Sequence, residues 1–170
     1  MTTIAFIGFR GSGKSTLGRW LSQELGLPFI DTDDSVLSSL GYATVVEAWK
    51  HVGEKGWRDA ELRLIPELLE QEAVVSIGGG APMLPSVTAA IAGCDVVFNL
   101  TASKEVTAQR LSEGDDRPDL SADDEEMRLN RLPTYGTLGT CGIETSGPVD
   151  ICKQHILDFL AHGHQFPPPS

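Results

Sequence analysis

Short apolar runs alternate along this chain with stretches whose apolar residues recur every three or four positions. Ile4 to Ile7 reads as a buried strand, and Ser15 to Leu25 as a helix stopped by Gly26. Leu27-Pro28 turns the chain into a short second strand, Phe29-Ile30-Asp31. Asp33 to Leu40 has helical spacing. Thr44 with Glu47 forms a capping box for a short helix through His51. Glu54 to Gln71 reads as a longer helix with apolar Trp57, Leu62, Leu64, Ile65, Leu68 and Leu69; Pro66, inside it, kinks or divides it. Val74 to Ile77 is a third strand running into Gly78-Gly79-Gly80. Pro85 to Ala92 is a helix closed by Gly93, and Asp95 to Leu100 a fourth strand. Ser103 is placed to cap a helix through Glu113. Residues 114–121 are polar and irregular and read as a loop or lid. Ser121 is a candidate cap for a helix over Ala122 to Leu132. Cys141 to Glu144 is a fifth strand and Val149 to Ala161 the last helix. Residues 162–170 end in Pro-Pro-Pro-Ser and are expected to be a flexible tail.

Strands alternating with helices imply an α/β fold, a parallel sheet with helices on both faces. Ligands on such sheets bind beyond the carboxyl ends of the strands. With 170 residues, no internal repeat and no linker, residues 1–161 are expected to form one domain.

Composition narrows the setting. The chain is 41% hydrophobic, yet no apolar stretch approaches the roughly 20 residues of a membrane span. The first strand begins at once, so no secretory signal is expected. Cys94, Cys141 and Cys152 are widely spaced without a CxxC pair, which argues against a disulfide framework or zinc site and for a reducing cytoplasm. The net charge of −11, with no long basic run, argues against nucleic acid or anionic lipid as main partner. With only 13 Lys and Arg, each basic residue near a phosphate site gains weight. Lys50, Lys55, Lys104 and Lys153 read as surface charges. His51, His155, His162 and His164 form no cluster with metal-ligand spacing.

The candidate chemistry starts at the end of the first strand. Gly8, four residues, then Gly13-Lys14-Ser15 fit G-x-x-x-x-G-K-[ST]. The motif lies between a strand and a helix, as a phosphate loop requires. Backbone N–H groups of such a loop close around phosphate oxygens, and the helix N-terminus adds its partial positive charge. Lys14 is then expected at the β- and γ-phosphates and Ser15 on a magnesium ion. Asp31-Thr32-Asp33 places two carboxylates on one side of a strand end. A kinase acting on an alcohol needs one carboxylate near the attacking hydroxyl and one near the metal. Alternatively one of the pair caps the following helix, a task Asp34 fits equally well. Arg58 and Glu61, spaced i, i+3, form either a surface pair or an Arg oriented to grip a substrate carboxylate through two parallel hydrogen bonds. Gly78-Gly79-Gly80 is either a flexible turn or a place where something approaches the backbone closely.

In order and spacing this series, continued by Arg117-Pro118 and by Arg131 with Pro133 and Tyr135, resembles the shikimate kinase family to about residue 160. The resemblance implies a five-stranded parallel sheet of order 2-3-1-4-5, of the nucleoside-monophosphate-kinase type. It implies transfer of the γ-phosphate of ATP to the 3-hydroxyl of shikimate. By the same resemblance, Gly11, Ser12, Gly13, Lys14, Ser15 and Thr16 bind nucleotide, and Arg110 lies against adenine. Asp33 orients the attacking hydroxyl, as base or acceptor, and Asp31 sits near magnesium with Ser15. Arg58 and Arg131 clamp the shikimate carboxylate, and Gly79 and Gly80 bind ring hydroxyls. Arg117 comes in from the lid to neutralise the moving charge, and Trp57 packs beside the substrate ring. A monomer is the family expectation.

The chain departs from the family pattern in three places. Asp115, Asp116, Asp123 and Asp124 flank the lid. Gly136-Thr-Leu-Gly139 follows Tyr135, so the helix carrying Arg131 is expected to end early. The loop Thr145-Ser146-Gly147-Pro148 carries no basic residue. Other readings are a kinase of a related hydroxy acid such as quinate or gluconate, and a nucleotide-binding regulatory module without catalysis. A switch GTPase is disfavoured by the lack of an Asn-Lys-x-Asp motif.

Overall fold

The structure, a computed structural model, describes residues 2–113 and 124–163. Its strands are β1 (Thr3–Gly8), β2 (Phe29–Asp31), β3 (Ala73–Ser76), β4 (Val96–Thr101) and β5 (Cys141–Glu144). Its helices are α1 (Lys14–Leu25), α2 (Thr32–Leu40), α3 (Val45–Leu68), α4 (Pro85–Ala92), α5 (Lys104–Ser112), α6 (Asp124–Leu138) and α7 (Val149–His162), with a 3-10 turn at Ala81–Met83. The strands form one parallel sheet of order β2-β3-β1-β4-β5. Parallel strands must be joined by crossovers, and helices supply them here, so both faces of the sheet are covered.

β1 shows why the centre is apolar. Successive side chains point to opposite faces, so Ala5 and Ile7 join one core with Ile65, Val75, Ile77, Val87, Ile91 and Tyr135. Ile4 and Phe6 join another with Leu17, Leu21, Val74, Phe98, Leu100 and Ile156. A smaller cluster of Val36, Ala48, Trp57 and Ala60 lies between α2 and α3.

Local signals explain many boundaries. Gly26 takes the left-handed conformation that ends α1. Thr44 Oγ1 accepts from the Glu47 N–H at 3.1 Å and starts α3, and Ser103 Oγ accepts from Val106 at 3.2 Å and starts α5. Gly53, at φ 66° and ψ −178°, breaks α3 between His51 and Glu54, as the spacing predicts. Pro66 does not divide the helix; it lies in the last turn, and α3 stops at Leu68 instead of Gln71.

α6 overturns one expectation. Instead of ending early, it runs on through Pro133 and Gly136 to Leu138. Proline and glycine inside a helix cost about 3 and about 1 kcal/mol. The compensation is tertiary: Tyr135 is 1% exposed, its ring meets Phe9 edge-on at 5.1 Å, and Leu138 packs on the same core. Arg131 therefore sits on continuous helix. The lid at 114–121, with Arg117, the Ser121 cap and the tail from residue 164 lie outside the described residues. No described helix is long and apolar enough to cross a membrane.

Candidate active site

The phosphate loop follows β1. Gly13 caps α1 in the left-handed region (φ 97°) and makes no side-chain cap hydrogen bond. Gly11 also has positive φ (75°), and a Cβ there would stand 2.9 Å from the Thr107 carbonyl oxygen. The outer side of the loop is fastened from two directions. Thr145 Oγ1 donates to the Ser12 carbonyl at 2.7 Å. Arg110 donates to the Gly11 carbonyl at 3.0 Å and to the Thr145 carbonyl at 2.5 Å. In a trans peptide the N–H opposes the C=O, so tying the Ser12 carbonyl outward turns the Gly13 N–H the other way, whereas the Ser12 N–H donates within the loop to the Phe9 carbonyl at 3.1 Å. Lys14 Nζ donates to the Gly8 and Phe9 carbonyls at 2.8 and 2.9 Å, which holds the ammonium over the loop.

Ser15 Oγ donates to Asp31 Oδ2 at 2.9 Å. The other Asp31 oxygen accepts from the Asp33 and Asp34 N–H groups at 2.9 and 3.3 Å, so Asp31, not Asp34, caps α2. One carboxylate thus serves both of the uses read from the sequence. A hydroxyl and a carboxylate oxygen this close, beside the phosphate loop, make a hard-oxygen donor pair that fits magnesium.

The glycine triplet is a place of close approach. A Cβ on Gly78 would lie 2.5 Å from Asp33 Oδ1, and one on Gly79 3.2 Å from Arg131 Nη1. One on Gly80 would lie 2.7 Å from Arg58 Cζ. Three glycines in a row thus leave room for a carboxylate and two guanidinium groups. The Gly78 N–H donates to the buried Thr32 hydroxyl at 2.9 Å, which ties the triplet to the start of α2.

Arg58 and Glu61 are not a surface pair. Arg58 Nη1 lies 2.6 Å from Glu61 Oε2, and the Glu61 side chain is 2% exposed. The Trp57 indole N–H donates to the other oxygen at 3.0 Å. Burial pushes the Glu61 carboxyl above its ordinary pKa, while the Arg58 charge and the two hydrogen bonds pull it back. Trp57 is itself buried among the α2–α3 residues, so it buttresses the pair through Glu61.

Gly11, the Gly13 to Thr16 segment, Asp31, Asp33, Ser76 to Gly79 and Arg110 line a cleft of about 440 Å³; Arg58, Gly80 and Arg131 meet at the glycine triplet but are outside that lining. Sequence reasoning missed Arg10, which also lines the cleft. It missed Thr145 as well, although a hydroxyl just past the carboxyl end of β5 lies where such sheets build sites. Nothing in the sequence pointed to Arg128, whose guanidinium lies 4.3 Å from the centre of the Phe9 ring.

Comparison with known proteins gives a consistent result. The family model described as shikimate kinase matches residues 10–160. A curated shikimate kinase of Mesorhizobium japonicum is 38% identical over 141 residues, 79% of this chain and 69% of the relative. One of Caulobacter vibrioides is 34% identical over 169 residues, 95% of this chain and 84% of the relative. The structure of the Acinetobacter baumannii shikimate kinase in complex with shikimate superposes with a TM-score of 0.86. It is 27% identical, and the match covers 98% of this chain and 96% of that one.

Proposed function

The chain belongs to the shikimate kinase family, and on that premise we propose how its residues carry the reaction. The protein is a kinase that uses ATP to phosphorylate shikimate. The acceptor atom we assign is the 3-hydroxyl. Its oxygen forms the new bond to the γ-phosphorus as the bond to the β–γ bridging oxygen breaks. The proton passes to Asp33, and ADP leaves.

The observation that supports these assignments best is the meeting of Asp33, Arg131 and Arg58 on three successive glycines beside the phosphate loop. Phosphoryl transfer requires positioning and charge stabilisation more than covalent help. Arg58 and Arg131 take the acceptor carboxylate, and Glu61 orients Arg58. The N–H groups of Gly79 and Gly80 meet ring hydroxyls. Lys14 and the N–H groups of Gly11, Gly13, Ser15 and Thr16 hold the phosphates, while Ser12, buried with its N–H on the Phe9 carbonyl, shapes the loop from within. Arg110 lies against adenine while fastening Gly11. Ser15 and Asp31 hold magnesium, which supplies positive charge to the phosphate oxygens when bound. Arg117 comes from the lid and adds the cation that answers charge developing toward the leaving oxygen. Residues 1–161 act as one domain, and the protein works as a cytoplasmic monomer.

The test is ADP release with Mg-ATP and shikimate, with quinate, gluconate and no acceptor in parallel. Shikimate-dependent turnover well above the no-acceptor rate is expected. Selective turnover of another acid would overturn the acceptor assignment. ATP binding without acceptor-dependent ADP would overturn catalysis itself.

A further inference from the structure

One buried hydroxyl near the acceptor site has no part in the scheme above. Tyr135 is 1% exposed. Its hydroxyl donates to the Gly79 carbonyl, from a helix 56 residues further along the chain. A Cβ on Gly79 would stand 3.7 Å from the same hydroxyl oxygen and 3.2 Å from Arg131 Nη1. The other edge of the residue is equally constrained, because its ring packs on Phe9 at the start of the phosphate loop.

The bond has a directional consequence. The Gly79 carbonyl and the Gly80 N–H belong to one trans peptide and point in opposite directions. Glycine backbone is otherwise free to rotate that peptide. Fixing the carbonyl on Tyr135 therefore fixes where the Gly80 N–H is aimed. No described residue accepts from the Gly79 or the Gly80 N–H. The same tyrosine is four residues beyond Arg131 on α6, one helical turn away. A single side chain thus sets the aim of the Gly80 donor and spaces one arginine of the carboxylate clamp from it, while the Gly78 carbonyl, and with it the Gly79 N–H, is held by the Ala81 N–H at 3.1 Å.

We propose that Tyr135 is a positioning residue for the acceptor: its hydroxyl holds the Gly79–Gly80 peptide in the orientation that binds shikimate and registers Arg131 against it. The role rests on the shikimate kinase reading given above. Tyr135 is buried and does not line the cleft; it acts through Gly79, Gly80 and Arg131. Burial raises the phenol pKa while the Arg131, Arg58 and Arg128 charges lower it, and the hydroxyl has its proton to donate at neutral pH.

The test is Tyr135→Phe, which keeps the ring against Phe9 and removes only the hydroxyl. Steady-state ADP release is measured with shikimate varied at saturating Mg-ATP, then the reverse. A buried carbonyl left without its donor changes an equilibrium by roughly five- to thirty-fold. KM for shikimate is expected to rise by that factor, with KM for ATP within about twofold. Leu138→Ala, on the core face of the same helix, is the packing control; it is expected to lower the melting temperature without separating the two constants. If Y135F melts below the assay temperature, dissociation constants for shikimate and ADP are read in the cold by the same criterion. Constants that stay put, or move together, or separate equally in L138A, overturn the positioning role. Absence of shikimate turnover in the unaltered protein is a different result and overturns the function instead.

Discussion

Adding one methyl group at Gly80 tests where the Arg58 guanidinium must lie. Gly80 has φ −88° and ψ −18°, a conformation that alanine adopts without strain. Replacing glycine at such a position stabilises by about 0.4–1 kcal/mol through the unfolded chain. The new Cβ, however, would meet Arg58 Cζ and Nη1 at 2.7 Å. Carbon atoms require about 3.5 Å, so one group has to yield. The far end of an arginine yields more easily than backbone, so the guanidinium leaves its place above the glycine. Its 2.6 Å ion pair with Glu61 loosens, and so does the grip we assign it on the acceptor carboxylate. A charge-assisted hydrogen bond contributes about 1.5–3 kcal/mol, and each 1.4 kcal/mol is tenfold in affinity. Gly80→Ala is therefore expected to raise KM for shikimate about 10- to 150-fold. The melting temperature should fall, because the buried Glu61 carboxylate loses part of its compensation, and kcat should change much less, since Lys14 and Asp33 are untouched. Coupled ADP release with varied shikimate and a thermal melt measure both. A folded variant whose KM stays within twofold would refute the claim that Arg58 must lie over Gly80 to hold the acid.

Three other outcomes are expected. Lys14→Ala is expected to abolish turnover by removing the cation at the transferred phosphate; retained activity would remove the phosphate loop from the chemistry. Thr145→Val keeps the shape but strips the donor from the buried Ser12 carbonyl, and ADP affinity, followed by calorimetry, should fall about tenfold. A change within twofold would mean the loop holds its form without that bond. Glu61→Gln tests the buried carboxyl by pH. Because burial raises the folded-state pKa of Glu61 above 4.5, the unfolded chain loses this proton first as pH rises. The contribution of Glu61 to stability is fully present below pH 4.5 and is lost as pH climbs through the folded value. The stability of the parent protein relative to E61Q should fall across that window in denaturant titrations; a flat or rising difference would refute the assignment.

Local chemistry made much of the fold legible. β2 and β5 begin and end at the residues their apolar runs suggest, and Thr44, Ser103 and Gly26 mark helix ends with bonds that need only neighbours. The phosphate loop was readable for the same reason: a strand, a glycine turn and a helix start lie within fifteen residues. The uses of Asp31 were open from the sequence, because capping is local while its bond to Ser15 spans 16 residues.

What local pattern misjudged depends on residues brought together from far apart. The 3-10 turn after the triplet gave no periodic signal. Gly136 and Pro133 are locally poor helix residues, and α6 continues because Tyr135 is buried against a loop more than a hundred residues earlier. The i, i+3 spacing of Arg58 and Glu61 is equally compatible with solvent, and packing between α2 and α3 decides that Glu61 is buried. Thr145 reaches Ser12 across 133 residues only because β5 is the strand beside β4, and β4 the strand beside β1. The sequence by itself determined which elements form and which chemistry is present, since propensity and motif act over a few residues. The tertiary structure decided which polar groups are buried, paired and aimed at one another, since desolvation and hydrogen-bond geometry exist only once distant segments meet.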